Sequence, residues 1–180
     1  MINNITELIE KINKGELPDI ESCRELVKYG LYDSLSGLRN RHALEIKIKE
    51  IDNSDSQHIG VVFADVNALK NTNDHYGHNS GDTLIRKCAF LLITQFGEEY
   101  CYRVSGDEFI ILIDNRSEKW FKKEVETFYD IINSKELPPL SLGWYHDKSY
   151  GDTWEIIDVA EQRMRQDKTN FYKKFEKFKR

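Results

Sequence analysis

Residues 100–113 read YCYRVSGDEFIILI, and the fold follows from how this stretch is parsed. Tyr100 to Val104 and Phe109 to Ile113 are two strand-like runs separated only by Ser105, Gly106, Asp107 and Glu108. Two such runs joined by small and acidic residues predict a β-hairpin with a tight, acidic tip. Upstream, Ile59 to Val66 (IGVVFADV) is a short continuous apolar run, as expected of a central strand covered on both faces. Downstream, Leu140 to Tyr145 predicts a fourth strand.

Helical periods fill the gaps. Leu84, Cys88, Leu91 and Leu92 mark one helix, and Phe121, Val125, Phe128 and Ile132 mark the next, with Pro138 and Pro139 closing the connection after it. A last helix carries Ile157, Ala160, Met164, Phe171, Phe175 and Phe178 beneath a lysine-rich outer face. The order β-α-β-β-α-β is the split βαβ pattern of ferredoxin-like and palm domains. The predicted class is α+β, a central, mostly antiparallel sheet flanked by helices.

The first residues form an extension to that unit. Ile5, Leu8, Ile9 and Ile12 sit at helical spacing until Gly15 and Pro18 end the segment, and Ile20 to Gly30 predicts a second short helix with Leu26 and Val27 as its apolar residues. DSLSGLRNR (Asp33 to Arg41) reads as a turn leading into a helix from Arg41 to Ile51, and NSDSQ (Asn53 to Gln57) as a loop. The expected organisation is a helical extension over residues 1–30 and one domain over residues 31–180.

Composition narrows the function classes. At 180 residues the chain can bury roughly 70% of the surface its unfolded form exposes, enough for one proper core. Charged residues make up 32% and the net charge is −5, which leaves no overall basic field for a nucleic-acid backbone. No apolar run approaches the ~18 residues of a membrane span, and the start lacks the apolar stretch of a secretory signal. Cys23, Cys88 and Cys101 lack CxxC spacing and suit a reducing compartment; the expected location is cytoplasmic.

Chemistry gathers at two places. Asp65 ends the apolar strand, and Asp107 and Glu108 sit at the hairpin tip. If those strands are neighbours, three carboxylates converge at one sheet edge. Carboxylate oxygens together with nucleotide phosphates are the ligands Mg²⁺ prefers, and two such ions can clamp the attacking and leaving oxygens of a phosphoryl displacement. The plainer reading is that Asp65 ends a strand and SGDE is good turn chemistry.

The second place is NDHYGHNSGD (Asn73 to Asp82), rich in turn-forming residues. Gly77 and Gly81 allow a tight backbone path whose N–H groups could hold phosphate, although the GK[ST] of a P-loop is missing. His75 and His78 lack the companions of a zinc site. Asn73 and Asp82 could read a purine edge, since an Asp can accept from guanine N1 and N2; Asp82 could equally be a charge near a helix N-terminus.

Taken together these residues resemble the GGDEF family of diguanylate cyclases, from about Asp33 to Lys168. DSLSGLRNR is similar to the family's D-x-L-T-G-L-x-N-R. DVNALKNTNDHYGHNSGD (Asp65 to Asp82) is similar to D-I-D-x-F-K-x-I-N-D-x-x-G-H-x-x-G-D, and RVSGDEF (Arg103 to Phe109) to R-Y-G-G-D-E-F. SLG (Ser141 to Gly143) stands for S-I-G, and AEQRMRQDK (Ala160 to Lys168) for A-D-x-x-M-Y-x-x-K. The resemblance implies condensation of two GTP into cyclic di-GMP with Mg²⁺ or Mn²⁺. Asp65, Asp107, Glu108 and the backbone carbonyl of Val66 would hold the metal, and Asp107 would take the 3′-hydroxyl proton. Asn73 and Asp82 would bind guanine. Lys70, Lys168, Gly106 and the backbone N–H groups of Ala68 and Leu69 would serve the phosphates.

Departures from the pattern carry their own expectations. Ser105 replaces the first signature glycine and Asn67 the third-position Asp; Arg165 stands for Tyr, and Tyr172 for an arginine that helps hold phosphate. The R-x-x-D of product inhibition would fall at Phe96 to Glu99, which reads FGEE, so feedback through that site is not expected. Because each domain would hold one GTP, the resemblance implies a homodimer as the active form. About 30 residues precede the first motif, too few for a sensor domain, so pairing would rest on the N-terminal helix or a regulatory protein partner. The alternative is a catalytically weak or inactive module that binds GTP and signals through protein contacts.

Overall fold

The computed structural model describes residues 5–17, 19–56, 58–135, 139–148 and 152–176. Pro18, Gln57, Pro138 and Phe178 lie outside the described residues, as do the side chains of Ile5 and Leu8. The helices are α1 (Ile5–Asn13), α2 (Ile20–Leu31), α3 (Arg41–Asp52), α4 (Leu69–Tyr76), α5 (His78–Phe96), α6 (Glu118–Asn133) and α7 (Thr153–Lys174). The strands are β1 (Arg39–Asn40), β2 (Ile59–Val66), β3 (Cys101–Arg103), β4 (Glu108–Asp114) and β5 (Leu140–Asp147). They form one five-stranded sheet in the order β1-β3-β4-β2-β5. Only the β1–β3 pair is parallel; the other neighbours run antiparallel, as the split βαβ pattern requires.

β2 is the axis of the molecule. All eight of its residues are buried because β4 and β5 flank it and helices cover both faces. Side chains alternate across the sheet. Val62, Ala64 and Val66 join Ile85, Cys88, Leu92, Phe121, Val125 and Phe128 from α5 and α6 in one core. Val61 and Phe63 join Leu44, Ile48, Ile156, Ala160 and Met164 from α3 and α7 in the other. Each fully buried large side chain contributes about 1.5–3 kcal/mol, so the two cores together hold the layers in place. Burial also pushes the Cys88 and Cys101 thiols up to about 12, which leaves them inert.

The hairpin forms as the sequence predicts, with β3 and β4 antiparallel and the Val104 N–H donating to the Glu108 carbonyl at 3.0 Å. Two elements differ from the reading. Arg39–Asn40 makes a two-residue edge strand on β3, too short to leave a periodic pattern. The segment Asn73 to Asp82, rich in turn-forming residues, is helical on either side of Gly77 (φ 81°), where α4 and α5 meet. Weak local propensity is overridden there by the anchoring of Leu69 and Ile85 on the core. α2 ends at Leu31, beside the expected domain boundary. Among the described residues, no helix is long and apolar enough to cross a membrane.

Candidate active site

The three carboxylates foreseen on separate motifs share one end of the sheet. Asp65 stands opposite Glu108 in the β2–β4 register, and the Val66 N–H donates to the Asp107 carbonyl at 2.9 Å. Asp65 is 4% exposed, whereas Asp107 and Glu108 are half-buried. Burial pushes the Asp65 carboxyl up to about 6; the Lys168 ammonium opposes the rise, and the Asp107 and Glu108 charges add to it. Among the described residues no three His, Cys, Asp or Glu side chains are drawn together into a ready-made metal cage. Mg²⁺ takes one or two carboxylates and completes its shell with water and phosphate oxygens. The donor set is all oxygen and the cation already seated on Asp65 is the ammonium of Lys168, so the residues present fit a hard divalent ion.

Beyond β2 the chain turns sharply. Asn67 is tied down on both sides: its N–H donates to the Pro139 carbonyl at 2.9 Å, and its Oδ1 accepts from the Ser141 hydroxyl at 2.8 Å. Ala68 then adopts the left-handed conformation (φ 56°, ψ 21°), a cost of about 1–2 kcal/mol for a residue with a Cβ. Strain of this kind persists where the surrounding structure over-determines it, commonly at functional sites. The turn launches α4, whose N-terminus at Leu69 and Lys70 has no side-chain cap on its first N–H groups. Such an end attracts anions.

Asn73 on α4 and Gly81 on α5 meet at the α4/α5 corner. Gly81 is buried there, and a Cβ on it would stand 1.9 Å from Asn73 Oδ1. The glycine therefore makes room for the Asn73 side chain, whose Oδ1 is buried without a hydrogen-bond partner. It is one of four buried side-chain atoms without a partner among the described residues, with His58 Nδ1, Arg103 Nε and His146 Nδ1, and it is placed to accept a donor from a ligand. Asp82, one residue further on, is half-buried.

α7 supplies the opposite wall. Gly143 on β5 lets it approach to backbone contact, and the Asp167 carboxylate accepts from the Leu142 N–H at 2.9 Å. Those two contacts bring Lys168 over the end of β2, where its ammonium donates to Asp65 Oδ1. Between α7 and the β2–α4 turn lies a cavity of about 530 Å³, lined by Val66, Leu69, Lys70, Asp107, Lys168 and Tyr172 among others. A larger hollow of about 1370 Å³ lies between α2 and the Tyr32–Asn40 turn, and none of Asp65, Asp107 and Glu108 lines it.

The hairpin tip is held from below by residues that the sequence placed in motifs without a role. Arg103 Nη1 donates to Asp33 Oδ1 at 2.8 Å, and Nη2 donates to the Gly106 carbonyl at 2.7 Å. Asp33 also accepts from the Ser36 N–H and hydroxyl, which draws its carboxyl below the usual range although burial works against that. Ser105 has an ordinary negative φ, so the first signature glycine is not needed for backbone reasons. A Cβ at Gly106 would meet nothing within 4 Å, which leaves that side of the tip open to a ligand. Phe96, where the inhibitory arginine would stand, is 5% exposed and packs edge-on against Phe128 in the core.

The family model described as "Diguanylate cyclase, GGDEF domain" matches residues 30–173, and the chain belongs to that family. Diguanylate cyclase DgcN of Escherichia coli (strain K12) is 26% identical over 178 residues, covering 92% of this chain and 43% of that protein. The chain spans less than half the length of the curated relatives it matches. Among solved structures, the coiled coil and GGDEF domain of DgcB from Caulobacter crescentus, in complex with c-di-GMP, superposes with a TM-score of 0.73 at 18% identity, covering 92% of this chain and 91% of that one. Diguanylate cyclase SiaD in complex with its activator SiaC, from Pseudomonas aeruginosa, gives 0.69 at 20% identity, covering 92% of this chain and 66% of that one. At these identities the structures establish the fold.

Proposed function

We propose that this domain is a diguanylate cyclase, forming cyclic di-GMP from two GTP with release of two pyrophosphates. The observation that carries the reading is that Asp65 stands in register with Glu108 and is paired with Lys168, which lines one cavity with Asp107 and Lys70. Carboxylates for a metal on one side and ammonium groups for phosphates on the other are what a nucleoside triphosphate needs.

Asp65, Asp107, Glu108 and the Val66 carbonyl would hold Mg²⁺ or Mn²⁺, which when bound supplies charge neutralisation at the phosphates and acidifies the attacking hydroxyl. Asp107 accepts the proton of the 3′-hydroxyl as its oxygen bonds to the α-phosphorus of the second GTP. Lys70, Lys168 and the N–H groups of Ala68 and Leu69 offset the charge gathering on the leaving pyrophosphate. Asn73 and Asp82 hold guanine, the base supplying a donor to the orphan Asn73 Oδ1. Gly106 lets the phosphates lie against the hairpin tip.

Each domain binds one GTP, so two copies face each other in the active form. Pairing is set by the N-terminal helix α1 or by a protein partner; the activator bound to SiaD is a precedent for the latter in a related fold. The burial of Phe96, where the family's arginine would stand, supports the reading that product does not feed back through that site.

A second reading, a GTP-binding module that signals through protein contacts, draws on Tyr172, which lines the cavity where the family's arginine would meet phosphate. Incubation with GTP and Mg²⁺, followed by chromatography and mass identification, decides between them. Cyclic di-GMP that disappears in Asp107→Ala establishes the cyclase. GTP binding without product at high protein concentration establishes the module.

A further inference from the structure

Lys168 donates to a carboxylate that the proposed function assigns to a divalent cation. The Asp65 side chain is 6% exposed and that of Lys168 28%, so the pair is largely shielded from water. In such surroundings like charges repel strongly, so an ammonium and a divalent cation compete for the same buried carboxylate. The Lys168 side chain also lines the cavity with Lys70 and Asp107, and its long stem can swing from one to the other while α7 stays pinned by Asp167.

We propose that Lys168 is an exchangeable counter-cation: it neutralises Asp65 in the empty domain, cedes that carboxylate to the divalent ion, and moves to the triphosphate. The inference rests on reading the cavity as a nucleotide site, and it adds a regulation of that site. A metal arriving alone must evict Lys168 with no anion to receive it. A nucleotide arriving alone finds Lys168 engaged and three carboxylates facing its phosphates. Each ligand therefore lowers the cost of binding the other, and metal and nucleotide load as a coupled pair.

The test is brief acetylation of the whole chain with a water-soluble amine-reactive ester, read at single lysines by peptide mass spectrometry. Lys70 reports nucleotide in the cavity independently of Asp65, and the exposed Lys122 is the reference. Without ligand, Lys168 reacts several-fold less than Lys122. Tens of millimolar Mg²⁺ alone raises labelling of Lys168 several-fold. Mg²⁺ with a GTP analogue carrying a methylene bridge between the α- and β-phosphorus lowers it again and protects Lys70. Protection of Lys70 by the magnesium–nucleotide complex, with Lys168 indifferent to Mg²⁺ alone, overturns the exchange and leaves the nucleotide site standing. Failure to protect either lysine overturns both.

Discussion

Gly143 lies so close to α7 that a Cβ on it would stand 2.1 Å from the carbonyl oxygen of Ala160. The amide nitrogen of Met164 would be equally near, so backbone rather than a movable side chain fills the space. Helix and sheet meet here at the closest approach two backbones allow, and Lys168 is carried one turn further along the same helix.

Gly143→Ala is therefore expected to push α7 outward. Overpacking of this kind costs about 1–3 kcal/mol, which a thermal melt reads as a drop of several degrees. The displaced helix also carries Lys168 away from Asp65, so product formation falls further than the lost stability explains. An unchanged melting temperature would contradict the close packing.

Asp65 makes stability and activity respond oppositely to pH. The folded state holds its proton more tightly than the unfolded chain, about 6 against 3.8. The stability contributed by the neutral carboxyl is full below about pH 3.8 and is lost as pH rises through about 6, a change on the order of 3 kcal/mol. Asp65→Asn removes this dependence, so its melting temperature gains on the wild type as pH is raised across that window. Cyclase activity of the wild type rises over the same range, because a metal ligand must be deprotonated, and the Asn variant loses it.

Arg103 spans two acceptors, Asp33 and the Gly106 carbonyl, with its two terminal nitrogens. A lysine cannot reproduce that fork. Arg103→Lys is expected to cost about 1–3 kcal/mol of stability in a denaturant titration. Because the tip carrying Asp107 loses its support, kcat falls on the order of 10- to 100-fold. Asp33→Ala should share the kcat defect, and an unaltered kcat in both would remove Arg103 from the positioning of the tip.

The two departures at 105 and 172 separate cleanly. Ser105 adopts a backbone conformation open to any residue and is exposed, so Ser105→Gly should leave steady-state kinetics and stability within about 0.5 kcal/mol of the wild type. Tyr172 faces the phosphate cavity. Tyr172→Arg adds a charge-assisted hydrogen bond, expected to tighten GTP binding roughly tenfold in a calorimetric titration.

Much of this was legible before any coordinates. The run Ile59–Val66 announced a strand covered on both faces, and the hairpin announced itself through two strand runs and a short acidic link. These are local patterns: burial and turn chemistry are written into residues a few positions apart. The ordered motifs likewise singled out Asp65, Asp107, Glu108, Asn73, Asp82, Lys70 and Lys168 as the residues now proposed for the site.

Other features depended on the stacking of layers. Residues 73–82 are rich in turn formers and yet belong to two helices meeting at Gly77, because core anchoring outweighs weak propensity. The clamp from Asp33 to Arg103 joins residues 70 apart, and the ion pair from Asp65 to Lys168 joins residues 103 apart. No local pattern encodes either partner, since side-chain charge says nothing about which distant element will lie above it. The need for a bare backbone at Gly143 and Gly81 is of the same kind. A glycine is visible in any sequence, but whether it serves a turn or a close approach is settled by what the fold brings against it.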